Sequence, residues 1–447
     1  MSIFSRWRLG ALRPRPRSAR RGALLARARR RFEALESRQL LTVTIDGSPT
    51  IYSTIQAAIN AAVAGNTVRV GAGTYAENVA VNKSISVVGA TGTATDVVIH
   101  PSSGFGVMIT ASGVTLQSLR VTGATTNGIQ ADNVANLTLS NVNSDHSMGD
   151  GVHLTNLSGS LTVLTGAYSN NGSDGIDLAG ESGTASITST VFDSNTGLGI
   201  RAANTVQQGT LNLSDLTLTN NLGGSGASVA SFSALNFTST LSATADTVNL
   251  TSSQFQLTRG ISVQQAVQYT GLASLEIDTL GGADIVNVVS TAGATTTTVN
   301  TGSGVDQFGD IDLTQIGAAS LSLNAGGDGE SIVLNTTTAG IVGVTSLQVQ
   351  RSGNGAVSYS GFANLTVNGT TGPDTFNIAS TADSTATTIN ASAGVDLFGD
   401  IDLTQIGAAG LALNAGGNGE SVVLNTTTAG IVGVASSQVQ RSGNGAR

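Results

Sequence analysis

The chain has no cysteine, five prolines, one tryptophan and one lysine in 447 residues. Without thiols there is no disulfide framework, no thiolate metal site and no cysteine nucleophile. Charge is scarce as well: charged side chains make up 11 % of the chain, against roughly 25 % in ordinary globular proteins. No apolar run approaches the ~20 residues a membrane helix needs, so no transmembrane span is expected. Trp7 is the only tryptophan and lies near the N-terminus, while Tyr52, Tyr75, Tyr168, Tyr269 and Tyr359 are scattered. The body therefore lacks a tryptophan platform on which sugars could stack.

The charge that is present is divided along the chain. Residues 1–41 carry 12 arginines against Glu33 and Glu36, whereas the remainder is strongly acidic, with Lys83 its only lysine. So acidic a body repels nucleic acid, and no nucleic-acid partner is expected. The N-terminal segment has no clean apolar stretch of signal-peptide type, since Leu24-Leu25-Ala26 is interrupted by Arg27. A basic tail can be a nucleic-acid arm. However, residues 31–41, RFEALESRQLL, resemble the leader of large exported planctomycete proteins, which implies export to the cell surface or beyond.

Ile55, Ala58, Ile59 and Ala62 fall at i, i+3, i+4 and i+7, between Ser53-Thr54 and Gly65, and predict one amphipathic helix. From Thr67 onward the apolar segments are short, β-branched and punctuated by Gly and Asn, as strands are. The dipeptides Gly128-Ile129, Gly151-Val152, Gly175-Ile176 and Gly199-Ile200 recur every 23 to 24 residues. Units of this size cannot bury an apolar face alone and must stack into a solenoid. Alternation then sends Ile129, Val152, Ile176 and Ile200 inward, with Ala131, Leu154, Leu178 and Ala202.

Residues 55–89 resemble the opening of the pectinesterase and pectate-lyase (pectin-lyase-like) superfamily of right-handed parallel β-helices, in Val70, Gly73, Tyr75, Glu77 and Val79 after a capping helix. The resemblance spans about 50–204 and implies that fold. It does not carry an activity, because the superfamily's catalytic motifs are missing.

The second half has another texture. Residues 307–356 and 397–446 match at 43 of 50 positions at an offset of 90, and glycines recur at Gly282, Gly304, Gly329 and Gly355. The expected fold class is all-β: a right-handed parallel β-helix followed by a β-solenoid of 90-residue repeats. The expected divisions are a basic leader (1–41), the β-helix with its capping helix (42–230), a junction or degenerate repeat (231–270) and two repeat units (271–356 and 357–447). No closing helix is visible near Arg447, which predicts an open strand edge and end-to-end self-association.

Two constellations could carry chemistry. Gln130, His153, Asp177 and Arg201 stand two residues after successive periodic glycines, and Asn127, Asp150 and Asp174 stand one residue before three of them. His153, Asp177, Arg201, Asp174 and Asp150 are thus the catalytic candidates for acid–base work on an acidic glycan. The competing reading is a solvated face with turn chemistry. Asp284, Asp306, Asp374 and Asp396 sit in Gly-x-Asp contexts that resemble degenerate calcium-binding nonapeptides. Calcium needs 6 to 8 oxygens, and these motifs occur singly, so each site would be half built; the alternative is an Asp that holds its own turn. No cofactor is expected apart from this calcium. The leading functional reading is an exported, non-catalytic structural or adhesive module that contacts extracellular polysaccharide or cell-envelope components. The alternative is a polysaccharide lyase, hydrolase or esterase.

Overall fold

The computed structural model describes residues 41–239, 244–417, 420–428, 432–435 and 438–441; all but Leu41 of the expected leader, and Arg447, lie outside them. The chain enters through Val43–Ile45, antiparallel to Ile51–Tyr52 and Thr67–Val70. Helix α1, Ile55–Ala61, then covers the end of the stack with Ile55, Ala58 and Ile59 buried. Its N-terminus is closed twice: Thr54 Oγ1 accepts the Ala57 N–H, and the Glu77 carboxylate accepts those of Ile55 and Gln56 at 2.8 and 3.0 Å. The helix ends at Ala61, short of Gly65. Lys83 takes over the terminal carbonyls there, donating to Ile59, Asn60 and Ala62 at 2.7–3.0 Å. Both charges have the sign the helix dipole favours.

From Val79 the chain coils. One parallel sheet stacks Val79–Val81, Val107–Ile109, Ile129–Asp132, Val152–Thr155, Ile176–Ala179, Ile200–Ala203, Ala227–Ala230 and Val267–Thr270. The second and third strands of each coil stack likewise, as Thr184–Thr188 does on Thr210–Ser214, and Val191–Asp193 on Thr217–Thr219. All eight residues expected to point inward are fully buried. Each of the six Ile, Val and Leu side chains among them contributes ~1.5–3 kcal/mol of burial, available only once the neighbouring coil is in place.

The periodic glycines answer to close approach and not to turn geometry. Gly128, Gly151, Gly175 and Gly199 are not in the left-handed region. A Cβ on any of them would stand 2.5–2.7 Å from the carbonyl oxygen of the corresponding glycine on the next coil. Those carbonyls accept the N–H groups of Ile129, Val152, Ile176 and Ile200. The corners belong to Asn133, Asn156, Asn170 and Asn220, whose φ of 52–58° asparagine tolerates best among residues with a side chain.

After Ala234–Thr238 the structure adds a reversal. Asp246–Leu250 and Gln254–Arg259 pair antiparallel, and the latter is antiparallel to Val267–Thr270, which rejoins the stack. A buried amide ladder spans the excursion: Asn171 bonds to Asn195, Asn195 to Asn221, and Asn221 to Gln265. The spacing lengthens from 24 and 26 residues to 44 at the last step. Ile341–Val344, Gln348–Arg351 and Ala356–Ser360 repeat the motif, with Ala356–Ser360 parallel to Leu321–Asn324. Val432–Ala435 and Gln438–Arg441 form a further antiparallel pair. One hydrophobic core runs from Val43 to Ile406. In the last unit Val422 and Leu424 are exposed, whereas their counterparts Ile332 and Leu334 are buried beside Leu365 and Val367.

Candidate functional site

The first coil sheet brings the predicted outward column together in register. Gln130 lies beside His153, His153 beside Asp177 and Asp177 beside Arg201, at the ~4.8 Å separation of adjacent strands. Their side chains stay on the solvent side of strands whose alternate residues are fully buried.

Asp150 and Asp174 behave differently, being 7 % and 2 % exposed. They form a ladder at the corner: Asp150 N–H donates to Asn127 Oδ1 (2.9 Å), Asp174 N–H to Asp150 Oδ1 (3.0 Å) and Leu198 N–H to Asp174 Oδ1 (2.7 Å). One carboxylate oxygen of each aspartate thus holds coil to coil. The other faces the column: His153 Nδ1 lies 3.0 Å from Asp150 Oδ2 and 3.2 Å from Asp177 Oδ2, and Arg201 Nε donates to Asp174 Oδ2 at 2.6 Å. Burial raises the Asp177 pKa, and the negative charges of Asp150 and Asp174 add to this against His153 and Arg201. The Arg201 guanidinium is held more firmly protonated by its hydrogen bond to Asp174.

The four aspartates of the repeats make the same use of an oxygen. Asp284 Oδ1 accepts the N–H of Asp246, Asp306 Oδ1 that of Asp284, Asp374 Oδ1 that of Gly340, and Asp396 Oδ1 that of Asp374, all at 2.8–2.9 Å. All four are at most 4 % exposed. Burial pushes the Asp284 carboxyl up to about 6, against its bonds from Thr279 and Asp246. Asp306 is raised for the same reason. The structure brings Asp284 beside Asp306 and Asp374 beside Asp396, and spends one oxygen of each on the backbone.

Asp145, the last residue of the strand Ala135–Asp145, is held from several sides. Arg120 grips it with two bonds of 2.7 and 2.9 Å, Thr122 donates at 2.6 Å, and His146 Nδ1 stands 2.7 Å away. Burial would raise this carboxyl, but those bonds outweigh it and hold the pKa low. An open groove of about 540 Å³ runs past His146, Met148, Asn170 and Thr196, with neither Asp177 nor Arg201 in its wall. Tyr75, Tyr168, Tyr269 and Tyr359 are buried, so none of them offers an exposed ring to a sugar.

Sequence reasoning did not single out Arg259. It is 12 % exposed, stands opposite Asp246 in the antiparallel register of the reversal and reaches Asp215 at 3.3 Å. An isolated arginine in a Ser/Thr-rich stretch gave no signal for this. Lys83 was legible only as the single lysine, and Glu77 only through the family resemblance.

Among known proteins, a family model for the right handed beta helix region matches residues 83–250. No curated protein matches. The crystal structure of the Agl-KA catalytic domain aligns at 12 % identity with a TM-score of 0.24, covering 82 % of this chain and 64 % of that one. The chain thus spans less than two thirds of that structure, and the likeness assigns nothing to its residues. Parallel coils and the family match together make residues 83–239 a right-handed parallel β-helix.

Proposed function

We propose that the protein is an exported, extracellular or cell-surface scaffold, a stiff non-catalytic stack that contacts polysaccharide or envelope components. The observation that carries this reading is the use made of its acidic side chains. Asp150, Asp174, Asp284, Asp306, Asp374 and Asp396 each give an oxygen to a backbone N–H of the adjoining coil. A group that holds register in this way is poorly placed to exchange protons with a substrate, which catalysis requires within ~3 Å. Units duplicated at an offset of 90 residues, with 43 of 50 positions identical between 307–356 and 397–446, suit a spacer, which grows with each copy, better than an enzyme whose active site lies outside the copied segment. The leader supports export. Self-association through the face bearing Val422 and Leu424 belongs to the same proposal.

A second reading, a polysaccharide-active enzyme of the pectin-lyase superfamily, is favoured by one fact: His153, Asp177 and Arg201 stand on three successive coils. Incubating the full chain with pectin, polygalacturonate and alginate decides between them. The scaffold reading predicts no unsaturated or new reducing ends. Turnover abolished by Asp177→Ala would replace it with the enzyme.

A further inference from the structure

Three donor atoms converge on the outward face of the first sheet: His153 Nδ1, Asp150 Oδ2 and Asp177 Oδ2, all within 4.8 Å of one another. They come from adjacent coils whose register is fixed by the backbone ladder. The imidazole nitrogen stands 3.0 Å from Asp150 and 3.2 Å from Asp177. Two metal bonds of about 2.1 Å, opening at 90° to 109°, separate their donor atoms by roughly 3.0–3.4 Å. Both spacings therefore already match an edge of a coordination polyhedron.

Hydrogen bonding alone serves this cluster badly. One ring nitrogen carries at most one proton and cannot satisfy two carboxylates fully. The nearest guanidinium, Arg201, donates its Nε–H to Asp174 and only partly offsets the charge of Asp177. Asp150 and Asp177 are thus left with two negative charges around one imidazole. Asp150 is 7 % exposed, and its other oxygen is held by the Asp174 N–H, so Oδ2 is aimed by the kind of outer-sphere contact that orients metal ligands.

We propose that Asp150, His153 and Asp177 form a binding site for a divalent transition cation of the zinc and manganese kind. Such a cation balances both carboxylates, and the imidazole ligand favours it over calcium, which prefers oxygen. Three protein ligands leave the outward positions to water or to an oxygen of a partner. The site stands whether or not the protein is a scaffold.

The test is calorimetric titration of the chelator-treated full chain with Zn²⁺, beside His153→Ala, Asp177→Asn and His146→Ala. Only three histidines exist, so the assignment is clean. The expected result is one equivalent bound with micromolar affinity, weakened at least ~10-fold by His153→Ala and by Asp177→Asn, unchanged by His146→Ala and not displaced by excess calcium. Asp177→Asn preserves side-chain shape, and a parent-like far-ultraviolet dichroism spectrum shows that its loss of binding is not loss of fold. As a second readout, Co²⁺ bound by the parent should give visible absorption bands that His153→Ala lacks. Parent protein that binds no zinc at about 100 µM, or binding retained in full by His153→Ala and Asp177→Asn, would overturn the proposal.

Discussion

Asp284 shows what a single side chain costs this fold. Its carboxyl is fully buried and titrates near 6 because burial disfavours the charge, whereas an unfolded aspartate titrates near ~3.9. The folded state therefore holds the proton more tightly, and its contribution to stability improves as pH falls from 7 toward 4. Asp306, Asp246 and Asp177 are shifted the same way. Asp284→Asn keeps the acceptor for the Asp246 N–H and removes the charge. It should leave stability at pH 7 unchanged or raise it by about 1–3 kcal/mol, and it should flatten the rise in melting temperature between pH 7 and 5. A variant that melts far lower at both pH values would show that the ladder needs the carboxylate itself. The candidate residues were legible because a fixed period places Gln130, His153, Asp177 and Arg201 in one column. That Asp150 and Asp174 turn one oxygen inward to the backbone was not, since Asp before Gly reads equally well as a turn.

At the scale of the coil, the spacing of glycines is a record of how closely two backbones pass. A methyl group on Gly175 would lie 2.5 Å from the Gly199 carbonyl and 2.7 Å from the Phe192 ring. Neither neighbour is a flexible side-chain end. Gly175→Ala is expected to lower unfolding free energy by about 1–3 kcal/mol, measured by denaturant titration, while Gly293→Ala, with open space around it, should change little. Equal effects at the two sites would refute the close-approach explanation. The helix and the inward column could be read from periodicity, since Ile55, Ala58 and Ile59 repeat at helical spacing and Ile176 and Leu178 alternate. The reversed strands could not. Gln348–Arg351 has the same two-residue alternation whichever way it runs, and direction is decided by its antiparallel partners Ile341–Val344 and Ala356–Ser360.

Over the whole molecule, two kinds of sequence build one stack. Three-stranded coils lead into repeats that each carry a reversed strand, yet the hydrophobic core is not interrupted between them. The connection rests on Ser274–Asp278 lying parallel to Ala234–Thr238, although an excursion of about 40 residues separates the paired positions. The offset of 90 could be read from the repeats at 307–356 and 397–446. Their continuity with the first half could not, because residues 231–270 break the spacing that would have announced it. The absence of cysteine makes a direct test clean. Asn236 and Glu276 face each other across the junction, as Asn212 and Asn236 do within the first half, and neighbouring strands place Cα atoms ~4.8 Å apart, within disulfide range. The most direct measurement is oxidation of the Asn236→Cys/Glu276→Cys protein beside the Asn212→Cys/Asn236→Cys protein. If the stack is continuous, both pairs form an intramolecular disulfide at comparable rates; a bond in the second pair and none in the first would contradict it.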